Sequence, residues 1–248
     1  MRAMRLFNKA KTPFMESVAF AYLFRFLTKN KELLGVASLA YALTTSSKPE
    51  PDRELVAAKI AKEFERGERV FEIGSNKGGL TLLISDAVGP KGAAFSFEPN
   101  IIAFSLLKAN CRAKKNVRCF NLGFGEFEGT GVLFTQGLTD KAASTMKHTP
   151  KSIALKFPVV TLDGFVRESA AAPDTIFIDA EGAELQVIKG GRGTIRSAGP
   201  RFILEIHGRP RPDMEMLRRF LADFGYHSKV IYDDGTGNVI YEFNKRNN

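Results

Sequence analysis

From residue 51 onward, short apolar runs alternate with longer stretches whose apolar residues recur at helical spacing. The short runs are 70–73, 93–98, 117–122, 157–161, 175–179 and 201–207, each continuous enough for a strand buried on both faces. Between them, residues 55–65 predict an amphipathic helix with Asp52 as its N-cap, and 80–88 predict a second. A third runs from Asn100 to about Lys114, with Ile102, Leu106 and Leu107 on its buried face. A short helix follows Leu162, another starts at Glu184, and 214–224 predict the last. The chain closes with 228–232 and 239–243 around the turn Asp233-Asp234-Gly235-Thr236-Gly237, the pattern of an antiparallel hairpin. Residues 123–131 are turn-rich, 132–135 resume an extended run, and 137–150 are polar without a period, as loops near a site often are.

This alternation predicts an α/β fold with a doubly wound, mostly parallel sheet, right-handed crossovers and a C-terminal antiparallel hairpin. Ligands of such sheets sit at the carboxyl ends of the strands, where the strand order reverses. The rule selects Glu72, Glu98, Gly123, Asp179, Glu181, Glu205 and His207. Residues 1–50 read differently. An apolar, aromatic run at 14–27 is interrupted by Glu16 and Arg25, and a second helical run at 32–43 precedes a linker. The interrupted run is too short and too charged to span a bilayer, and no small-residue cleavage site follows it. The expected organisation is an N-terminal helical extension, 1–50, capping a domain at 51–248. Membrane-surface contact by the extension, a partner helix and an organelle-targeting sequence are the alternatives.

The stretch Arg-Val-Phe-Glu-Ile-Gly-Ser-Asn-Lys-Gly-Gly at 69–79 is a strand, a glycine turn and a helix start. Such a turn lets a ligand approach bare backbone and aims the N–H groups of the new helix at an anion. Glu98 ends the next strand 24 residues after Gly74, in position to accept hydrogen bonds from ribose hydroxyls. The gap from Gly74 to Gly78 is wider than the Gly-x-Gly-x-x-Gly of NAD enzymes, and Glu72 stands two residues ahead of the first glycine. A cofactor with one carboxylate, an ammonium and a sulfonium fits better than a pyrophosphate, so S-adenosyl-L-methionine is expected. Glu72, Gly74, Ser75, Asn76 and Gly78 would form its turn, Glu98 would hold the ribose, and Leu122 and Gly123 would border the adenine.

The series Phe-Glu-Ile-Gly-Ser-Asn-Lys-Gly, Phe-Glu-Pro-Asn, Asn-Leu-Gly-Phe-Gly, Val-Val-Thr-Leu-Asp, Phe-Ile-Asp-Ala-Glu-Gly-Ala-Glu and Leu-Glu-Ile-His, in order from Val70 to His207, resembles the FkbM family of methyltransferases. The Ile-Asp-x-Glu-Gly-x-Glu block at 178–184 is its most specific piece. The resemblance implies a class I methyltransferase fold and O-methylation, often of a sugar or polyketide-type hydroxyl. Two features depart from the family pattern: Glu72 stands where aspartate is commoner, and Phe124 and Glu126 flank Gly125.

Methyl transfer to an alcohol needs alignment and a base for the hydroxyl proton. Asp179 is the first candidate by position, Glu181 shares its turn, and His207 is the only histidine at a strand end, where a neutral imidazole suits a base near pH 7. Glu184 reads as a first-turn dipole complement.

Composition adjusts this picture only at its edges. The net charge of +9 is concentrated in residues 1–48, where eight Lys or Arg face Glu16 and Glu32, leaving +3 for the remaining 200 residues. A nearly neutral core argues against nucleic acid as partner. An RNA methyltransferase using Lys189, Asp179 and Glu205 is the alternative, and a non-catalytic cofactor-binding module is a second. Cys111 and Cys119, eight apart with no nearby histidine, read as buried thiols of a reducing, cytoplasmic compartment rather than a zinc site or a disulfide. With no Asp-Asp-Asn set, no metal is expected.

Overall fold

The computed structural model describes residues 51–135, 153–207, 212–235 and 237–245. The expected N-terminal cap and the polar loop 137–150 lie outside the described residues. Helix α1 (Pro51–Ala61) leads into β1 (Arg69–Ile73), α2 (Gly79–Val88), β2 (Ala93–Phe97), α3 (Ile101–Asn110) and β3 (Val117–Phe120). Then come β4 (Gly123–Phe124), β5 (Gly129–Thr135), β6 (Ile153–Val160), α4 (Leu162–Ser169), β7 (Thr175–Ile178), α5 (Glu184–Lys189) and α6 (Arg192–Ser197). The chain ends through β8 (Arg201–Ile206), α7 (Pro212–Ala222), β9 (Tyr226–Asp233) and β10 (Val239–Lys245).

Seven strands form one sheet in the order β3-β2-β1-β7-β8-β10-β9. Strands β3, β2, β1, β7 and β8 run parallel, and β10 is antiparallel to both β8 and β9. The chain therefore starts in the middle, moves outward to β3, and returns to the other side of β1 through β7. That reversal opens a crevice at the carboxyl ends of β1 and β7.

The two-residue period of the strands divides the core between the two faces of the sheet. Phe71, Phe95, Phe97, Ile176, Phe202 and Leu204 face helices α4 to α7. Val70, Ala94, Phe177 and Ile203 face Ile60 and Phe64 and, on α2, Ile84 and Val88. Rings fill the first layer: Phe97 meets Phe124 and Phe165 edge-on, with centroids 4.8 and 4.9 Å away. Such pairs each add about 0.5–1.5 kcal/mol beyond the area they bury. Helix starts are fixed locally, with Asn100 accepting from the Ile102 N–H and Thr161 from the Gly164 N–H.

Several boundaries differ from the sequence reading. Helix α1 covers Pro51–Ala61 rather than 55–65, so Asp52 lies inside the helix and is not its N-cap. Residues 123–131 are not merely turns: β4 pairs parallel with β6, and β5 pairs antiparallel with β6, in a second, three-stranded sheet. The glycines that read as breakers make room for a ring. A Cβ on Gly123 or Gly131 would lie 2.6 or 2.3 Å from the Phe157 ring. Cys111 is buried, Cys119 is half-buried, and both are free thiols.

Candidate functional site

Strand β1 ends in a turn that only glycine can make. Gly74 has φ +93°, and a Cβ there would sit 1.9 Å from the Asp179 carbonyl oxygen. The ends of β1 and β7 thus press together, and the Asp179 N–H donates to the Ile73 carbonyl at 2.9 Å. Gly74 and Ser75 both donate backbone N–H groups to the Phe97 carbonyl at 3.0 Å, tying the turn to β2. Gly78, at φ +87°, caps α2, and a Cβ there would meet Leu107 of α3 at 2.7 Å. Between them Asn76 adopts a left-handed φ of +48°, and the Ser75 hydroxyl donates to the Glu72 carbonyl at 2.9 Å. The result is a backbone cradle opening on the unpaired N–H groups of the first turn of α2.

Glu98 is 7% exposed and braces this cradle. Its two carboxylate oxygens accept from the Asn76 N–H at 2.8 Å and the Asn100 N–H at 2.7 Å. Each oxygen keeps a lone pair for a further donor. Burial pushes the carboxyl up to about 7, against the pull of those two N–H groups and with the charges of Asp179 and Glu72 adding to the rise. Asn121 donates to the Glu98 and Pro99 carbonyls at 2.8 and 3.1 Å, which sets the half-buried Leu122 and buried Gly123 beside this corner.

Glu72 is placed differently from its sequence expectation. It lies beneath the turn, 1% exposed, where its Oε2 accepts from the Thr81 hydroxyl at 2.5 Å and the Ser96 hydroxyl at 2.9 Å. Desolvation by burial lifts it to about 7, only partly offset by those hydroxyls and Ser75. It can act on a ligand through its field and not by contact.

At the neighbouring strand ends, Asp179 Oδ1 stands 2.9 Å from His207 Nε2, and His207 Nδ1 stands 2.9 Å from the Asn238 carboxamide oxygen. Glu205 Oε1 approaches the same Nε2 at 3.9 Å. Both ring nitrogens face acceptors. The Asp179 hydrogen bond, with help from Asn238 and the charges of Asp179 and Glu205, raises His207 to about 10 against the opposing effect of burial. The sequence expectation of a neutral imidazole base is therefore corrected: the pair holds the ring as imidazolium at neutral pH. Glu181 is exposed in the turn after β7, with φ +51°, and is not brought into this cluster. Glu184 is structural, accepting from the Ala180 and Gly182 N–H groups at 3.2 and 3.0 Å.

Asn238 is the residue that sequence reasoning missed. Its only sequence signal was the Asp-rich hairpin turn: Asp234 Oδ1 accepts from the Gly237 and Asn238 N–H groups at 3.0 and 3.1 Å. That places Asn238 one residue before Val239, which pairs with Ile206.

Residues 72–228 match the family model for the methyltransferase FkbM domain. Among solved structures, the chain is similar to methyltransferase FkbM from Methylobacillus flagellatus KT, with a TM-score of 0.56 and 18% identity over 73% of this chain. It spans 44% of the length of that protein. Fibrillarin from Aeropyrum pernix, a complex with natively bound S-adenosyl-L-methionine, aligns with a TM-score of 0.51 and 16% identity, covering 76% of this chain and 73% of that one. Precorrin-6y C5,15-methyltransferase from Geobacter metallireducens GS-15 gives 0.50 and 14%, covering 82% and 92% of the two chains. These likenesses identify the fold as that of class I methyltransferases. No curated protein matches the sequence. Among the described residues, no helix is long and apolar enough to cross a membrane.

Proposed function

Because the chain belongs to the FkbM methyltransferase family, we propose that it methylates a hydroxyl of a small molecule or saccharide, using S-adenosyl-L-methionine. The observation that carries this reading is the Asp179–His207 pair, 2.9 Å apart, in which the Asp179 backbone also walls the Gly74 turn. The turn 74–78 and the first N–H groups of α2 would hold the cofactor's carboxylate. Glu98 would take the ribose hydroxyls on its remaining lone pairs, and Leu122 and Gly123 would border the adenine. Glu72 supplies buried negative potential suited to a ligand that carries both an ammonium and a sulfonium. When bound, the cofactor supplies a methyl group already activated on a sulfonium.

The residues of this chain then have to orient the acceptor and accept its proton. Asp179 is the acceptor of that proton. His207, held as imidazolium between Asp179 and Asn238, fixes the carboxylate's orientation. Glu181 at the exposed rim contributes to acceptor binding. In the RNA-directed alternative, Lys189 would join Asp179 and Glu205, but its ammonium lies 3.8 Å from Glu126. Transfer of labelled methyl to a panel of hydroxylated acceptors, saccharides first, tests the reading. Asp179→Asn should retain cofactor affinity and lose transfer by at least ~100-fold. Equal transfer by the two proteins would remove Asp179 from the proton's path.

A further inference from the structure

Asp179, Glu205 and His207 each offer one ligand atom, and the three atoms lie within 4.8 Å of one another. Asp179 follows β7, while Glu205 and His207 stand at the end of the adjacent β8, two residues apart and so on one face. The sequence contains no Asp-Asp-Asn set, yet the fold assembles a different set of two carboxylates and an imidazole. We propose that these residues bind one divalent transition-metal ion on the acceptor side of the methyl-transfer site. The proposal rests on the methyltransferase reading given above; with the cation bound, His207 is a neutral ligand in place of the imidazolium, and Asp179 keeps Oδ2 for the acceptor proton.

Ligand atoms on neighbouring positions around a metal, at ~2.1 Å from it, are roughly 3.0 Å apart, and on opposite positions roughly 4.2 Å. His207 Nε2 and Asp179 Oδ1 are already 2.9 Å apart. Nε2 and Glu205 Oε1, at 3.9 Å, fall between the two spacings. The imidazole is also prepared from behind. Asn238 Oδ1 engages Nδ1 at 2.9 Å, which keeps that nitrogen protonated and aims Nε2 at the two carboxylates. Ligating histidines characteristically have such a partner on their second nitrogen.

An imidazole in the set favours Mn²⁺ or Zn²⁺ over Mg²⁺. Three protein ligands, whose side chains are 19–30% exposed, leave coordination positions for two acceptor oxygens. The acceptor class that uses them is a vicinal diol, one hydroxyl of which the ion would polarise and make more acidic.

The test is calorimetric titration of the full chain with Mn²⁺, beside Glu205→Gln, with folding checked by thermal unfolding and the cofactor site by S-adenosylhomocysteine binding. The expected result is one Mn²⁺ per chain, bound at least ~10-fold more weakly by Glu205→Gln. Pulsed electron paramagnetic resonance of the parent should show nitrogen coupling to the ion that disappears in His207→Gln. A folded parent that binds S-adenosylhomocysteine but no Mn²⁺ or Zn²⁺ overturns the cation site alone, as does Mn²⁺ binding undiminished in Glu205→Gln. No S-adenosylhomocysteine binding by a folded parent overturns the underlying methyltransferase reading.

Discussion

Replacing Glu72 by glutamine should stabilise this protein, and by an amount that depends on pH. Glu72 is 1% exposed, and burial lifts its carboxyl from 4.5 to about 7. Below pH 4.5 the group is protonated in both states and costs nothing. Between 4.5 and 7 the unfolded chain gives up this proton while the folded chain keeps it, so stability falls as pH rises. Above 7 the group is ionised in both states and the full difference, about 3 kcal/mol, stands against the fold. Glutamine is an isostere without the charge. Thr81 and Ser96 both donate to one carboxylate oxygen, so a carboxamide oxygen can receive both. Urea unfolding of the parent and Glu72→Gln at steps from pH 4.5 to 8 measures the difference; Glu98, shifted similarly, is present in both proteins and largely cancels. Expected is near equality at pH 4.5 and a gain of about 3 kcal/mol for the variant at pH 8. A difference independent of pH, or a less stable variant at pH 8, would refute the claim that burial dominates this carboxylate. The gain should come with weaker cofactor binding, which would explain why the charge is retained.

The remaining predictions concern the cradle. Gly74→Ala should cost roughly 3 kcal/mol or more in thermal unfolding, since the new Cβ meets a backbone oxygen 1.9 Å away at a φ of +93°; a loss within ~0.5 kcal/mol would mean the strand ends are not so pressed together. Glu98→Gln turns one of two acceptors into a donor facing an N–H, at a cost of about 1–3 kcal/mol, so calorimetry should find cofactor affinity at least ~10-fold lower; unchanged affinity would free Glu98 of both roles. With Glu72 and Glu98 both held at about 7, binding a cationic cofactor at pH 7 should favour their ionised forms and release protons. Calorimetric enthalpies in phosphate and Tris buffers should therefore differ, more for S-adenosylmethionine than for S-adenosylhomocysteine, and identical enthalpies would contradict the assignment.

What the sequence disclosed follows from how local each signal was. The strand ends at Ile73, Phe97 and Ile178, and the glycine turn between Gly74 and Gly78, follow from apolar continuity and from backbone conformations glycine tolerates. The face of a strand-end acid is not local. Glu72 reads like a ligand-facing acid, but Thr81 and Ser96 turn it inward, and neither is within eight residues of it. The second sheet was hidden because Gly123 and Gly131 read as breakers, whereas the Phe157 ring requires their bare backbone. Asn238 was out of reach because its role depends on β10 pairing with β8, a contact that brings residue 238 to residue 207. Glu205 and His207 were correctly placed at a strand end, but the charge state of His207 depends on Asp179 from the adjacent strand.

The Gly74–Glu98 corner is proposed as the S-adenosylmethionine site on which every role above depends. Calorimetric titration of the parent and Glu98→Ala with S-adenosylmethionine and S-adenosylhomocysteine tests it most directly. The parent is expected to bind both, and the variant, still folded, to bind them at least ~10-fold more weakly. A folded parent that binds neither would contradict it.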